Sequence, residues 1–256
     1  MRKNKLKKLE RKIRVAAVSY LNTKPLIYGF QNGKLPGQME LIFDYPSKIA
    51  AMLINDEVDL GLVPVAIIPF LNESHIISDY CIGADGEVAS VCLFSDVPVE
   101  EIKTVYLDYQ SRTSVALLKI LLKHFYKISP EIIESSSGYE NKINGDTGGL
   151  VIGDRAFVQR KKSKYIYDLS IAWKEMTGLP FVFAAWIANK KLPDSFISEF
   201  HIASAYGIEN MDEAIENIKS DDYDLKKYFK SDIQYRLDDK KKEGLKLFLN
   251  YLKELD

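Results

Sequence analysis

Four short clusters of polar residues adjoin apolar stretches of the sequence, and they hold the side chains best suited to binding a ligand. The first cluster, residues 19–23, reads Ser-Tyr-Leu-Asn-Thr and precedes a predicted helix. Here Asn22 and the free amides of the helix would bind the oxygen atoms of a ligand, with Tyr20 as a neighbouring candidate. Capping of the helix by Asn22 or Thr23 is the alternative interpretation.

The second cluster, residues 108–114, stands at the start of the clearest predicted helix. Four of its side chains are candidates for binding an anion: Ser111, Arg112, Thr113 and Ser114. The positive end of a helix and its free N–H groups favour a carboxylate or a phosphate. Capping by Ser111 would explain one hydroxyl but not three hydroxyls and an arginine. Because the sequence has no Gly-rich phosphate loop, a carboxylate is favoured over a nucleotide phosphate.

The third and fourth clusters each contribute one candidate. Ser90 is the last residue of the third cluster, residues 83–90, and lies on an apolar extended segment. An unbonded hydroxyl is costly in such a segment, so we expect Ser90 either to face a ligand or to bond a neighbouring backbone group. Asp154 lies in the fourth, directly after the apolar run at residues 150–152. A carboxylate at the end of a strand is a candidate catalytic or binding group, and N-capping by Asp154 is the alternative.

The composition excludes several classes of protein. The 256 residues hold 35 basic and 36 acidic side chains, a net charge of −1, which argues against a general nucleic-acid binder. Three histidines and two cysteines leave little material for a metal site. The histidines lie outside the four clusters, and no Ser/His/Asp or Cys/His set is apparent. We therefore expect no metal and no nucleophilic triad.

The charge is unevenly distributed along the chain. Residues 1–12 carry seven basic residues and one acidic residue, whereas the other 244 residues carry 28 basic and 35 acidic ones. We interpret residues 1–12 as a solvated N-terminal extension, with contact to lipid or nucleic acid as the alternative.

The sequence also predicts a cytoplasmic location. The apolar segment at residues 13–18 is too short for an export signal, which needs about 7–15 apolar residues. No segment approaches the ~20 apolar residues of a membrane span. Cys81 and Cys92 have apolar neighbours in the sequence, which is typical of buried free thiols in a reducing compartment.

Strand-like and helix-like patterns alternate, which favours an α/β fold with largely parallel sheets. The predicted strands are residues 13–18, 39–43, 59–63, 82–95, 104–107, 149–152, 165–169 and 180–188. The clearest predicted helices are residues 46–55, 111–126, 171–177 and 239–255. We predict a smaller lobe, residues 97–183, inserted into a larger lobe of residues 13–96 and 184–256, with the ligand cleft between the lobes.

The clusters belong to a longer set of motifs that resembles menaquinone biosynthetic chorismate dehydratase, an enzyme family of the futalosine pathway. The matching segments, in order, are VSYLNTKPL (18–26), DLGLVPV (59–65), IGADGEVASV (82–91), SRTSVAL (111–117), VIGDRA (151–156) and WKEMTGLPF (173–181). The ordered set is specific and spans residues 13–250. Glu87 stands where proline is expected in the family, and the neighbouring Ser90 is retained.

The resemblance implies a two-lobed, periplasmic-binding-protein-like fold of type II. It also implies a hydro-lyase, a carbon–oxygen lyase that converts chorismate to 3-[(1-carboxyvinyl)oxy]benzoate and water. No cofactor is expected, because the reaction has no net redox change and aromatisation drives it. Chorismate has two carboxylates: one would bind at residues 111–114, and Asn22 and Ser90 would hold the other carboxylate or the departing hydroxyl.

The sequence does not decide which group acts as general base, and it allows two other functions for the protein. No histidine is placed to act as base, so we prefer the substrate's own enolpyruvyl carboxylate, positioned by Asn22, with Asp154 as the alternative. A 1,4-dihydroxy-6-naphthoate synthase of the same pathway is one other function. A non-catalytic solute-binding module is the second, because fold does not fix function.

Overall fold

The structure of the protein, a computed structural model, describes residues 11–34, 37 and 39–255. Of the predicted N-terminal extension, residues 1–10 lie outside this part of the chain. Arg11 is described, and its guanidinium donates two hydrogen bonds, of 2.7 and 2.8 Å, to the buried carboxylate of Asp59. The end of the extension is therefore bound to the body of the protein.

Strands and helices alternate along most of the chain. The strands are β1 (Ile13–Val18), β2 (Met39–Asp44), β3 (Leu60–Pro64), β4 (His75–Ala84), β5 (Val91–Ser95), β6 (Thr104–Leu107), β7 (Glu131–Glu134), β8 (Thr147–Ile152), β9 (Tyr165–Asp168), β10 (Phe181–Ala188) and β11 (Gln234–Arg236). The α-helices are α1 (Lys24–Gln31), α2 (Pro46–Ile54), α3 (Arg112–Leu121), α4 (Asp154–Arg160), α5 (Leu169–Thr177), α6 (Asp194–Glu209), α7 (Met211–Ile215), α8 (Leu225–Lys227) and α9 (Asp239–Leu252).

Within the described residues the strands form two sheets, each at the centre of one lobe. The first sheet has the order β11-β4-β10-β3-β1-β2, and the second has the order β7-β6-β8-β5-β9. The chain passes from the first sheet to the second at residues 85–90 and returns at residues 178–180. Both crossings lie earlier in the chain than the predicted lobe limits at residues 97 and 183, since β5 already belongs to the second sheet.

The prediction of largely parallel sheets is wrong, because both sheets are mixed. β1 is parallel to β2 and β3, and β6 is parallel to β7 and β8. In contrast, β10 is antiparallel to both of its neighbours, and so is β5. Each of these strands enters its sheet directly from a crossing. A strand that enters from the cleft side starts at the carboxyl edge of the parallel strands, so it must run the opposite way.

Local sequence explains how the helices beside the cleft begin and end. The Ser111 hydroxyl oxygen accepts the Ser114 N–H at the start of α3, and the Asp168 carboxylate accepts the N–H groups of Ser170 and Ile171 at the start of α5. Gly178 ends α5 with a φ of +75°, which glycine adopts without strain.

No helix within the described ranges is long and apolar enough to cross a membrane.

Candidate active site

A cavity lies between the two lobes. Its walls come from both sheets and from the crossing at residues 85–90, and its polar lining residues are Tyr20, Asn22, Ser90, Ser111 and Ser114. The remaining lining is apolar, with side chains such as Ile82 and Phe183. A mostly apolar cavity with a few convergent polar groups is typical of a small-molecule site.

The fold explains why segments far apart in the sequence meet at this cavity. The first cluster follows β1, and the fourth follows β8, so each lies at the carboxyl end of a parallel strand. The second cluster opens α3, and Ser90 directly precedes β5. The four polar clusters found in the sequence therefore converge on the cleft, each through at least one of its residues.

The backbone before Ser90 is held in an unusual conformation. Ala89 has a φ of +59°, a left-handed conformation that is uncommon for residues other than glycine. The buried Asp168 carboxylate accepts hydrogen bonds from the backbone N–H groups of Val88 and Ala89, at 3.0 and 2.8 Å. Arg160 donates to the Ala89 carbonyl at 3.2 Å. These three contacts fix the direction in which Ser90 enters the cavity wall.

Glu87, the residue that departs from the expected family pattern, has two cationic partners. Its carboxylate accepts hydrogen bonds from Arg160 of α4 at 2.6 Å and from Lys227 of α8 at 2.8 Å. Lys227 also binds the buried Asp232 at 2.8 Å. The acidic side chain therefore joins the crossing segment to both lobes, beside Ser90.

Asn22 does not cap a helix. Neither the short 3₁₀ turn at Leu21–Thr23 nor α1 has a side-chain cap, which removes the alternative interpretation of Asn22 and Thr23. Among the described residues no group bonds the buried Oδ1 of Asn22, although this side chain lines the cavity. A buried amide oxygen without a partner is costly, so a ligand that donates a hydrogen bond would satisfy it.

Ser111 and Ser114 form one polar unit at the start of α3. Besides accepting the Ser114 N–H at 3.1 Å, Ser111 donates its hydroxyl proton to Ser114 Oγ at 2.9 Å. Since Ser114 Oγ accepts this bond, its own proton is free to point into the cavity. Capping and ligand binding, the two separate interpretations of this cluster, are therefore compatible at Ser111.

Arg112 and Thr113, predicted to share this anion site, do not line the cavity. Arg112 is exposed and lies in a separate surface depression with Phe70 and Lys119. The Thr113 hydroxyl is buried and accepts the Ala66 N–H at 3.1 Å. The reason is helical geometry: residues three apart share a face of the helix, and the two residues between them do not.

Asp154 lies near the cavity but does not line it. It is the first residue of α4 rather than its cap, and it makes no side-chain capping bond, so the capping interpretation is not supported. As a whole residue it is exposed. The pKa of Asp154 is nevertheless raised because the surrounding lobes remove part of its water, an effect that the Leu21 N–H and Lys24 partly offset. Asp154 therefore faces the first cluster across the cleft.

No sequence pattern assigned a role to Gln110 or Arg155, yet both contribute to the cleft. The Tyr20 hydroxyl donates to Gln110 Oε1, which also accepts from Arg155 at 3.1 Å. Arg155 in turn donates to the buried Asp108 carboxylate at 2.7 Å. This chain of bonds runs from the second lobe to Tyr20 of the first lobe, at the edge of the cavity.

Tyr228 is a second residue that the sequence did not indicate. Its hydroxyl donates to Ser90 Oγ at 2.9 Å, although the two residues are 138 positions apart. Its side chain is fully buried, and this burial raises the pKa of the phenol above its usual range. No local sequence signal marks it, since the segment 220–232 has the polar composition of a surface loop.

No thiol, imidazole or carboxylate side chain lines this cavity among the described residues. Both cysteines are buried, as predicted, and burial raises the pKa of Cys81 to about 12. Within the residues that the structure describes, no three His, Cys, Asp or Glu side chains are placed to hold a metal ion. The chemistry available at the cavity is therefore that of hydroxyl, amide and backbone N–H groups.

Comparison with known proteins gives a consistent result. A family model described as menaquinone biosynthesis matches residues 13–254. A chorismate dehydratase of Thermus thermophilus is 30% identical over 192 residues, which are 68% of this chain and 69% of that protein. A chorismate dehydratase of Campylobacter jejuni is 28% identical over 254 residues, 93% of this chain and 97% of that protein.

Solved structures share the fold at low sequence identity. A protein of Archaeoglobus fulgidus superposes with a TM-score of 0.78 at 18% identity, covering 97% of this chain and 99% of that one. A Candida albicans protein described as having the generic periplasmic binding protein fold gives a TM-score of 0.61 at 15% identity, covering 95% and 94%. The two-lobed, periplasmic-binding-protein-like fold predicted from the sequence is confirmed.

Proposed function

The chain belongs to the menaquinone biosynthesis family that includes chorismate dehydratases, and we propose that it converts chorismate to 3-[(1-carboxyvinyl)oxy]benzoate and water. The observation that carries this proposal is the convergence of Asn22, Ser90, Ser111 and Ser114 on one cavity between the lobes. The reaction would supply the futalosine pathway of menaquinone biosynthesis. We propose that it takes place in the cytoplasm, where the buried thiols stay reduced.

The reaction removes one proton and one hydroxide from neighbouring carbons of the chorismate ring. The C–H bond beside the ether oxygen breaks, and its electron pair forms the new ring double bond as the C–O bond on the neighbouring carbon breaks. The departing hydroxide takes up the proton that the base removed and leaves as water. The ring becomes aromatic and the enolpyruvyl ether is retained. Since no electrons are gained or lost overall, the reaction requires no redox cofactor.

The polar groups of the cavity match the two carboxylates and the hydroxyl of chorismate. The start of α3 offers the Ser114 hydroxyl and the positive end of a helix dipole, which together favour a carboxylate. Asn22, on the opposite lobe, would position the enolpyruvyl carboxylate by donating from Nδ2, and its unpartnered Oδ1 would accept from the chorismate hydroxyl. Ser90 would donate to the departing hydroxyl, which becomes a better leaving group when it accepts a hydrogen bond.

We propose that the enolpyruvyl carboxylate of the substrate is the general base. It is attached through the ether oxygen next to the proton that must leave, so its effective concentration is high. Asp154 is the protein-based alternative, and its raised pKa would suit a base. Its exposed position outside the cavity lining favours the substrate carboxylate.

A solute-binding module is the second candidate, because binding proteins share this fold. The assay that separates the two functions adds purified protein to chorismate and follows the diene absorbance, with heat-denatured protein as control. A dehydratase gives a saturable loss of absorbance above the spontaneous rate. Saturable binding without such a loss would support the module. Conversion of a later pathway intermediate to 1,4-dihydroxy-6-naphthoate instead would identify the other enzyme of the pathway.

A further inference from the structure

Tyr228 lies at a point where the crossing segment and both lobes meet. It begins a π-helical turn, Tyr228–Asp232, in the C-terminal part of the first lobe. Its ring packs edge-on against Phe157 of α4 in the second lobe, with 4.9 Å between centroids, and against Tyr223 at 6.3 Å. The side chain is fully buried, so packing on several sides fixes the ring.

The hydroxyl of Tyr228 reaches the cavity wall at Ser90. It donates to Ser90 Oγ at 2.9 Å. Burial raises the pKa of this phenol, and the Asp154 carboxylate raises it further, so the hydroxyl keeps its proton at neutral pH and remains a donor. A buried hydroxyl is costly unless it is bonded, and here its partner is Ser90, which lines the cavity.

The bond from Tyr228 determines where the Ser90 proton can point. A serine hydroxyl has one proton and an oxygen that accepts. When that oxygen accepts from Tyr228, the serine proton must turn away from the phenol. Ser90 lines the cavity, and its backbone is fixed by Asp168 through the N–H of Ala89. The free direction for the proton is therefore the interior of the cavity.

We propose that Tyr228 is a positioning residue, which aims the Ser90 proton at the hydroxyl that leaves chorismate. This inference rests on the proposed function. The C-terminal segment that contains Tyr228 thus contributes to the reaction through Ser90 and does not contact the substrate. In the absence of the Tyr228 hydroxyl the Ser90 proton rotates freely and donates to the leaving group in only a fraction of the bound complexes.

A double-mutant cycle with Tyr228→Phe and Ser90→Ala tests this inference with chorismate as substrate. Tyr228→Phe is expected to lower kcat about three- to tenfold with little change in KM, the effect of one lost hydrogen bond in the transition state. In the Ser90→Ala background the same change should alter kcat by less than about twofold, because the partner is already absent. Tyr223→Phe is the matched control, since its hydroxyl bonds Asp232 and Lys227 instead.

Unfolding measured on the same four proteins gives a readout that is independent of turnover. Ser90→Ala leaves the Tyr228 hydroxyl without its partner and is expected to lower the melting temperature, and adding Tyr228→Phe should restore part of the loss. Equal effects of Tyr228→Phe on kcat in both backgrounds would overturn the inference, as would a Tyr228→Phe protein that does not fold. A wild-type protein that does not convert chorismate would overturn the proposed function. This result differs from failure of the inference alone, in which the wild-type protein still converts chorismate.

Discussion

The hydroxyl of Tyr20 donates a hydrogen bond to Oε1 of Gln110, and this bond joins the two lobes at the edge of the cavity. Tyr20 follows β1 of the first lobe, whereas Gln110 precedes α3 of the second lobe. Arg155 holds the same oxygen at 3.1 Å, and its guanidinium is fixed in turn by Asp108. The contact therefore favours a closed cleft, in which a bound ligand is shielded from water.

Tyr20→Phe should weaken chorismate binding by removing this cross-cleft bond. We expect KM to rise about three- to tenfold, since one hydrogen bond that favours the closed form is lost. Steady-state kinetics measure this effect. Gln110→Ala should produce a similar change, and the double variant should be no worse than either single one. Fully additive effects would show that the two side chains act separately.

Ser114→Ala and Arg112→Ala should differ strongly although the residues are two positions apart. Ser114 faces the cavity, and loss of its hydrogen bond to a carboxylate is expected to lower kcat/KM about ten- to hundredfold. Arg112 is exposed in another depression, so Arg112→Ala should change kcat/KM by less than about twofold. A large loss of kcat/KM in the Arg112 variant would show that Arg112 takes part in substrate binding.

Asn22→Ala and Asp154→Asn distinguish the two candidate bases. If Asn22 positions the substrate carboxylate that takes the proton, its loss should lower kcat at least about a hundredfold, the effect of misplacing a reacting group. Asp154→Asn should then keep kcat within about threefold of the wild-type value. The reverse pattern, with full turnover in the Asn22 variant, would assign the base to Asp154.

Asp168→Asn should destabilise the fold in a pH-dependent way. The pKa of Asp168 is raised to about 6, because the cost of burial outweighs the four backbone N–H groups that bond it. The folded state thus binds this proton more tightly than the unfolded chain, whose pKa is about 3.9. The contribution to stability is complete below about pH 4 and is lost as the pH rises through about 6.

The asparagine variant offers one oxygen, and its NH₂ group faces two of the four backbone N–H groups that the two oxygens of Asp168 accept. We expect it to lose about 2–4 kcal/mol of unfolding free energy at pH 4, since two buried N–H groups are left unpaired. The deficit should be smaller at pH 7. Denaturant unfolding of both proteins at each pH measures the difference, and a deficit that grows with pH would contradict the assignment.

The sequence predicts the α/β class and the segments that meet at the cavity, because strand ends and helix starts carry local signals. It does not predict which residues of a helix start face the cleft: Ser114 does and Arg112 does not, since this depends on how α3 packs between the lobes. The reversed directions of β5 and β10 follow from the crossings, and the bond from Tyr228 to Ser90 exists only after the lobes have folded together. Such contacts between distant segments have no local pattern.

The measurement that tests the proposed function most directly is identification of the product. Wild-type protein is incubated with chorismate, and the reaction mixture is analysed by NMR and mass spectrometry beside a protein-free control. The proposed dehydration predicts 3-[(1-carboxyvinyl)oxy]benzoate, with one water lost and the enolpyruvyl group retained, at a rate that saturates with chorismate. Recovery of chorismate at the level of the control, or an aromatic product without the enolpyruvyl group, would contradict it.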